Sequence, residues 1–148
     1  NPIGRIFGDP FVQRIDSVPS RRHPDLQVIF HTNPGQLTET EMIGPADLCI
    51  EVVSAGNAAD DYGDKFLEYE KGGVREYWII DHRRRTSLFY QLDETGVYQN
   101  HPPDVDGYYQ TPLLPKLNLH VPILWQDELP GYFAIGRAIQ VMFGIVKN

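Results

Sequence analysis

The sequence has a single cysteine, no long apolar run and few basic residues for its 148 residues. Because Cys49 stands alone, an intramolecular disulfide is excluded and a reducing compartment is favoured, so we expect a cytoplasmic protein. No segment approaches the roughly 18 consecutive apolar residues of a membrane span, and no signal peptide is recognised, so we expect no membrane partner. The net charge of -7 counts against broad, non-specific nucleic-acid binding but leaves room for a local basic groove.

Apolar residues make up 41% of the chain, enough to build a core, and the length suits one domain over residues 1–148. The pattern predicts strands at 25–32, 47–54, 76–81 and 86–92, a loosely strand-like segment at 5–16, a short strand at 96–99, a helix at 60–71 and a terminal helix at 132–146. Residues 17–24 and 33–45 are expected to be loops, and residues 82–85 a basic turn. This order of strands and helices predicts a mixed α/β domain.

One strand, within GPADLCIEVVS, carries a carboxylate in an apolar setting. Side chains alternate along a strand, so Glu51 shares one face with Asp47 and Cys49, and we expect Cys49 to be a small core residue. Asp47 and Glu51 are roughly 13 Å apart along the strand and cannot ligate one metal ion together. Glu51 therefore needs another partner: Asp25 on the preceding strand, with a metal ion between them, or Lys65 from the following helix.

The predicted helix offers Lys65 a position from which it can reach the sheet. Three aromatic side chains form an apolar stripe at i, i+4 and i+7: Tyr62, Phe66 and Tyr69. Lys65 borders that stripe, so its side chain can run towards Glu51. The alternative is that Lys65 only pairs with Asp61 at i, i+4, which contributes a few tenths of a kcal/mol. Spacing leaves both interpretations open.

Three segments in order, PDLQVIF, GPADLCIEVVS and DDYGDKFLEYEKGGVREYWIID, carry a family resemblance. They resemble the Uma-type restriction endonuclease family of the PD-(D/E)XK nuclease superfamily. The likeness is continuous over residues 24–92 and looser up to residue 115. It implies a restriction-endonuclease-like fold, a mixed β-sheet flanked by helices. Members of this family usually begin with a helix that supplies a further glutamate, and this chain is expected to lack or truncate that helix.

The resemblance also implies site residues. Asp25 matches the Pro-Asp element, and Glu51 matches the acidic member of the Glu-x-Lys element, so both would hold Mg²⁺ or Mn²⁺. Val53 occupies the usual lysine position, and Lys65 stands where family members supply a lysine from the following helix. Tyr69 is expected to hydrogen-bond in the site or simply to fill the core. The implied function is Mg²⁺-dependent endonucleolytic hydrolysis of DNA phosphodiester bonds.

Two other interpretations stay open at this point. The chain can be a catalytically inactive nuclease-fold module for binding or interaction, or an unrelated α/β protein whose Glu51–Lys65 pair is structural. Two basic segments, 21–23 and 82–85, are each interpreted either as solvated polar turns or as contacts to DNA phosphates. A homodimer is compatible with the sequence, which does not fix the oligomeric state.

Overall fold

The computed structural model describes residues 3–146, and the chain forms two compact units. The first unit ends at His101 and the second begins at Pro102. The residues of the candidate site all belong to the first unit. The expectation of one domain over residues 1–148 stays a prediction.

The described residues form twelve strands, three α-helices and one 3-10 helix. The strands are β1 (Gly4–Gly8), β2 (Val12–Ile15), β3 (Ser20–Arg22), β4 (Leu26–Phe30), β5 (Gln36–Leu37), β6 (Glu41–Ile43), β7 (Leu48–Val52), β8 (Glu76–Asp81), β9 (Thr86–Leu92), β10 (Tyr98–Asn100), β11 (Tyr108–Thr111) and β12 (Leu114–His120). The helices are α1 (Ala58–Tyr62), α2 (Asp64–Gly72) and α3 (Tyr132–Met142), and the 3-10 helix is Val121–Trp125. The mixed α/β character predicted from the sequence is confirmed.

The first unit is built around a six-stranded mixed sheet in the order β1-β4-β7-β8-β9-β10. β7 and β8 are parallel, joined by a crossover through α1 and α2, whereas the other neighbours are antiparallel. β8 is buried along nearly all its length, as expected of a central strand rich in aromatic and β-branched residues. The sheet thus places the carboxyl ends of β7 and β8 side by side.

A second, four-stranded sheet in the order β3-β2-β6-β5 completes the first unit. It overturns two expectations, because the segments 17–24 and 33–45 contain β3, β5 and β6 rather than loop alone. These strands are two or three residues long, too short to show a period-2 signal. They form through partners distant in sequence, including the parallel pairing of β2 with β6.

The helical segment predicted at 60–71 is divided into α1 and α2 at Gly63. The backbone of Gly63 leaves the helical region at φ -116 and ψ -91, and a Cβ there would lie 2.7 Å from the carbonyl oxygen of Ala59. Gly73 ends α2 in the left-handed conformation at φ 85, a conformation that glycine adopts without steric cost. The bend at Gly63 therefore sets the direction of the helix that carries Lys65.

We expect Gly63→Ala to destabilise the protein by about 1–3 kcal/mol, because the added methyl group overlaps a backbone atom that cannot rotate away. Gly56→Ala is the matched control, since a Cβ at Gly56 has no neighbour within 4 Å and should leave stability unchanged or raise it by about 0.4–1 kcal/mol. Urea unfolding of both variants measures the difference. Equal stability of the two variants would contradict a steric requirement for glycine at the bend.

An arginine clamp joins the small sheet to the helices. Arg22 of β3 donates from Nε and Nη2 to the two carboxylate oxygens of Glu68 on α2, at 2.8 and 2.7 Å. Its Nη1 lies 3.1 Å from Asp60 on α1. The hydrogen bond to Glu68 is the main cause of a raised pKa for Arg22, and the same contact lowers the pKa of Glu68. Both helices are therefore tied to the sheet by one guanidinium.

The second unit contains the β11–β12 hairpin, the 3-10 helix and α3. The predicted terminal helix at 132–146 is shorter than expected and ends at Met142. Within this unit, the ammonium of Lys116 lies 5.2 Å from the centre of the Phe143 ring, a cation–π contact. Across residues 3–146, no helix has the length and apolar character needed to cross a membrane.

Candidate active site

Glu51 lies at the centre of the candidate site, buried near the carboxyl end of β7. Its side chain is 2% exposed and belongs to the face shared with Asp47, Cys49 and Val53, all of them buried as the alternation predicted. Cys49 is a core residue, and burial raises the pKa of its thiol. Asp47 is not part of the candidate site; its carboxylate accepts hydrogen bonds from the Phe30 amide and from the Asn33 side chain.

Lys65 pairs with two buried carboxylates at once. Its ammonium lies 3.0 Å from Oε2 of Glu51 and 2.6 Å from Oδ1 of Asp61. The predicted reach of Lys65 to Glu51 is confirmed, and the i, i+4 pair with Asp61 forms as well. The two interpretations are compatible because an ammonium has three N–H donors. We call Glu51, Asp61 and Lys65 the buried triad; with every member ionised its net charge is -1.

The excess negative charge of the buried triad contributes to a raised pKa of Glu51. Burial raises the pKa of Glu51 to about 7, although Lys65 opposes the shift, and the negative charges of Asp61 and Asp25 add to it. For Lys65, burial favours the neutral amine, but the hydrogen bonds to Asp61 and Glu51 outweigh burial and raise its pKa. Lys65 is therefore a fixed cation, whereas Glu51 is a carboxylate that further positive charge would stabilise.

Asp25 immediately precedes β4, the strand that pairs with β7. β4 and β7 pair antiparallel with Leu26 opposite Ile50, and the same register continued by one residue places Asp25 opposite Glu51. Directly opposite side chains in such a pair lie on the same face, with Cβ atoms about 5 Å apart. Asp25 Oδ2 also accepts a hydrogen bond from the amide of Val52 at 2.6 Å. Asp25 is exposed and Glu51 is buried, so the pair runs from solvent into the core.

Two tyrosines hold the triad in place. The Tyr69 hydroxyl donates to Oε1 of Glu51 at 3.1 Å, and burial raises the pKa of Tyr69, which keeps the donor protonated. Tyr69 is also fully buried in the core, so both roles considered for it apply. The Tyr77 hydroxyl donates to the backbone carbonyl of Asp61 at 2.8 Å and fixes the end of α1. Glu51 therefore has a partner on each oxygen.

Asp61 is the site residue that sequence reasoning undervalued. In the sequence, the spacing Asp-x-x-x-Lys suggests that Lys65 pairs with Asp61 instead of Glu51. The distinguishing feature is burial: Asp61 is 2% exposed, whereas an i, i+4 partner on a helix surface is solvated. An acidic residue one turn before a lysine that borders an apolar stripe is a sequence signal for such a shared cation.

The two basic segments, residues 21–23 and 82–85, differ in the contacts that they make. Arg22 is engaged by Glu68 and Asp60, Arg21 lies 3.7 Å from Glu41, and His23 Nδ1 lies 3.1 Å from the Pro10 carbonyl oxygen. The segment 82–85 is a turn between β8 and β9, as expected, and Asp81 accepts hydrogen bonds from two of its backbone amides. Arg22 therefore has a structural role, whereas the side chains of Arg21 and His23 are exposed.

Comparison with known families identifies the chain. The family model Uma2, described as "Putative restriction endonuclease", matches residues 2–122, which is more than half of the 148 residues. The chain belongs to the Uma2 family. This match extends beyond residues 24–92, where the motifs of the sequence are densest, and it confirms the resemblance seen there.

A solved structure supports the fold assignment of this Uma2 family member. That solved structure is of a protein from Anabaena variabilis, which is described as "a putative nuclease". It matches with a TM-score of 0.63 and 20% sequence identity, covering 83% of this chain and 68% of that chain. At that identity the likeness concerns the fold, and it confirms the nuclease-like α/β architecture. A search of the curated proteins found no match.

Proposed function

We propose that this Uma2 protein is a Mg²⁺- or Mn²⁺-dependent endonuclease that hydrolyses phosphodiester bonds of DNA, with Asp25, Glu51 and Lys65 as its catalytic residues. One observation carries the proposal: Asp25 Oδ2 accepts a hydrogen bond from the amide of Val52, the residue after Glu51, while the Lys65 ammonium lies 3.0 Å from Glu51. A family described as restriction endonucleases gives this arrangement its chemical context.

The two carboxylates suit a hard divalent cation. Among residues 3–146 there is no group of three His, Cys, Asp or Glu side chains arranged to hold a metal ion. Mg²⁺ does not require one, because it usually keeps several waters and binds one or two carboxylates together with substrate phosphate oxygens. The raised pKa of Glu51 also indicates a carboxylate that lacks sufficient positive charge. Asp25 and Glu51 would hold the ion.

Each remaining residue has a defined task. A divalent cation held by Asp25 and Glu51 would neutralise phosphate charge and lower the pKa of the attacking water. Lys65 would present an ammonium fixed by Glu51 and Asp61 to the charge that develops on the phosphate, which is the effect expected of a preorganised donor. Tyr69 orients Glu51, and Asp61 holds Lys65 in its charged form.

A nuclease-fold binding module without hydrolytic activity is the second candidate. The observation that favours it is that Glu51 already has a cation, Lys65, and a hydroxyl donor, Tyr69. In that case the triad would be a structural network and Asp25 a surface residue.

We expect the 148-residue protein to nick supercoiled plasmid weakly at low ionic strength in Mg²⁺ or Mn²⁺, and not in EDTA. Asp25→Asn, which removes a carboxylate charge but keeps the shape of the side chain, should lose this activity because the ion loses its exposed ligand. Glu94→Gln is the control, since Glu94 is an exposed carboxylate in the turn before β10. Nicking that persists in EDTA or in Asp25→Asn would overturn the proposal, and no nicking under any condition would favour the binding module.

A further inference from the structure

A depression of about 370 Å³ lies directly beyond the site, at the carboxyl ends of β7 and β8. It is lined by residues 53–55, Ala58, Asp81, Arg83 and Arg84. Val53 follows Glu51 by two residues on the same face of β7, and its amide donates to the carbonyl of Ile80 at the end of β8. The depression thus begins about 7 Å along the strand from Glu51.

One wall of the depression is the arginine turn, residues 82–85. Asp81 Oδ1 accepts from the backbone amides of Arg83 and Arg84 at 3.1 and 3.0 Å, which fixes the turn. The guanidinium of Arg84 lies 3.8 Å from Asp81 and its side chain is 71% exposed. Within residues 3–146, Arg83 and Arg85 form no ion pair. The turn therefore presents the charges of Arg83 and Arg85 together with the largely exposed guanidinium of Arg84, on a backbone that Asp81 holds through two hydrogen bonds.

The other cations near the site are occupied. Lys65 is held between Glu51 and Asp61, and Arg22 is bound by Glu68 and Asp60. A protein with a net charge of -7 repels a polyanion at long range, so any productive contact needs a local cationic surface. Beside the carboxylate pair, the arginine turn supplies that surface.

We propose that the depression and the arginine turn bind a backbone phosphate of DNA next to the phosphodiester at Asp25 and Glu51. Arginine suits this task because its planar guanidinium makes paired hydrogen bonds to phosphate oxygens. Contacts of this kind fix the position of the nucleic acid without reading its sequence. The inference rests on the proposed function for the identity of the bound polymer, but it concerns binding rather than hydrolysis.

The test is fluorescence anisotropy with a labelled DNA duplex and the full chain in EDTA, where no metal-dependent cleavage occurs. Arg83→Gln/Arg84→Gln removes both guanidinium charges and keeps the backbone amides that bond Asp81. We expect affinity at low salt to fall, and the slope of log affinity against log salt to become shallower by about 0.9 for each phosphate that the protein no longer neutralises. Arg5→Gln, an exposed arginine of the edge strand β1, is the matched control and should behave as wild type.

The outcomes separate the two claims. Equal affinity and equal salt slope in wild type and the double variant would overturn the phosphate site, as would a decrease of the same size in Arg5→Gln, or no binding by the wild-type protein. Binding that depends on the arginine turn without nicking in any metal would preserve this inference while overturning the nuclease. Nicking that depends on Asp25 but not on the arginine turn would support the nuclease and overturn the phosphate site. Thermal unfolding of the variants should match that of wild type.

Discussion

Glu51→Gln is expected to stabilise the metal-free protein at pH 8 by as much as about 3 kcal/mol while removing its response to Mg²⁺. The first effect follows from the pKa of Glu51, which rises from 4.5 to about 7 on folding, mainly because of burial. A pKa difference of this size corresponds to about 3 kcal/mol. Glutamine keeps an acceptor for Tyr69 and leaves Lys65 in a neutral pair with Asp61.

The sign of the pH dependence is set by proton binding. Between pH 4.5 and 7 the folded protein binds the Glu51 proton more tightly than the unfolded chain does, so the free energy of unfolding falls as pH rises. This contribution is fully present below pH 4.5 and is lost as pH rises through about 7. Wild type in EDTA should therefore be less stable at pH 8 than at pH 5, and Glu51→Gln should lack this decrease.

Denaturant unfolding in EDTA at pH 5–8 measures the first effect, with Glu94→Gln as an exposed control that should follow wild type. Metal is then added at pH 8. A ligand that binds only the folded state raises the unfolding free energy by RT ln(1 + [L]/Kd), so Mg²⁺ or Mn²⁺ should raise the Tm of wild type and leave that of Glu51→Gln unchanged. An equal metal response in the two proteins would place the ion elsewhere.

The geometry of the site was predictable where the signal was local. β8 and β9 have the predicted bounds, since each is a run of aromatic and β-branched residues ended by turn residues. The reach from Lys65 to Glu51 followed from alternation on the strand and from the aromatic stripe on the helix. The break at Gly63 was missed because Gly72 and Gly73 gave a stronger stop signal, and an isolated glycine inside a helical pattern is often tolerated.

Contacts between residues far apart in sequence escaped prediction. Arg22 was interpreted as either a solvated residue or a phosphate contact, yet its partners Asp60 and Glu68 lie 38 and 46 residues further along the chain. The small sheet was predicted only in part. β2 lies in the segment 5–16 that was expected to be strand-like, whereas β3, β5 and β6 were missed because these strands are stabilised by pairing rather than by their own composition. The shared position of Lys65 was missed because burial of Asp61 becomes visible only once α1 packs on the sheet.

Lys65→Met is expected to destabilise the metal-free protein by about 3–5 kcal/mol at pH 8. The change keeps most of the side-chain volume but leaves the buried carboxylates of Glu51 and Asp61 without their cation, and removal of one partner of a buried ion pair has this order of cost. The burial of the triad therefore predicts a loss of stability in addition to any loss of activity. Lys71→Met, at an exposed lysine of the same helix, should change stability by less than about 0.5 kcal/mol.

The pH dependence and the metal dependence of this destabilisation identify its cause. Without the ammonium, the pKa of Glu51 rises further above its wild-type value of about 7, so Glu51 in the folded protein is fully protonated at pH 5 and the destabilisation becomes smaller there. If Asp25 and Glu51 hold a divalent cation, Mg²⁺ at pH 8 should also recover part of the stability, because it supplies the missing positive charge. Denaturant unfolding of Lys65→Met at pH 5 and pH 8, with EDTA or Mg²⁺, tests both expectations. The same destabilisation in all four conditions would indicate that Lys65 acts by packing its methylene groups, and that Glu51 does not depend on its charge.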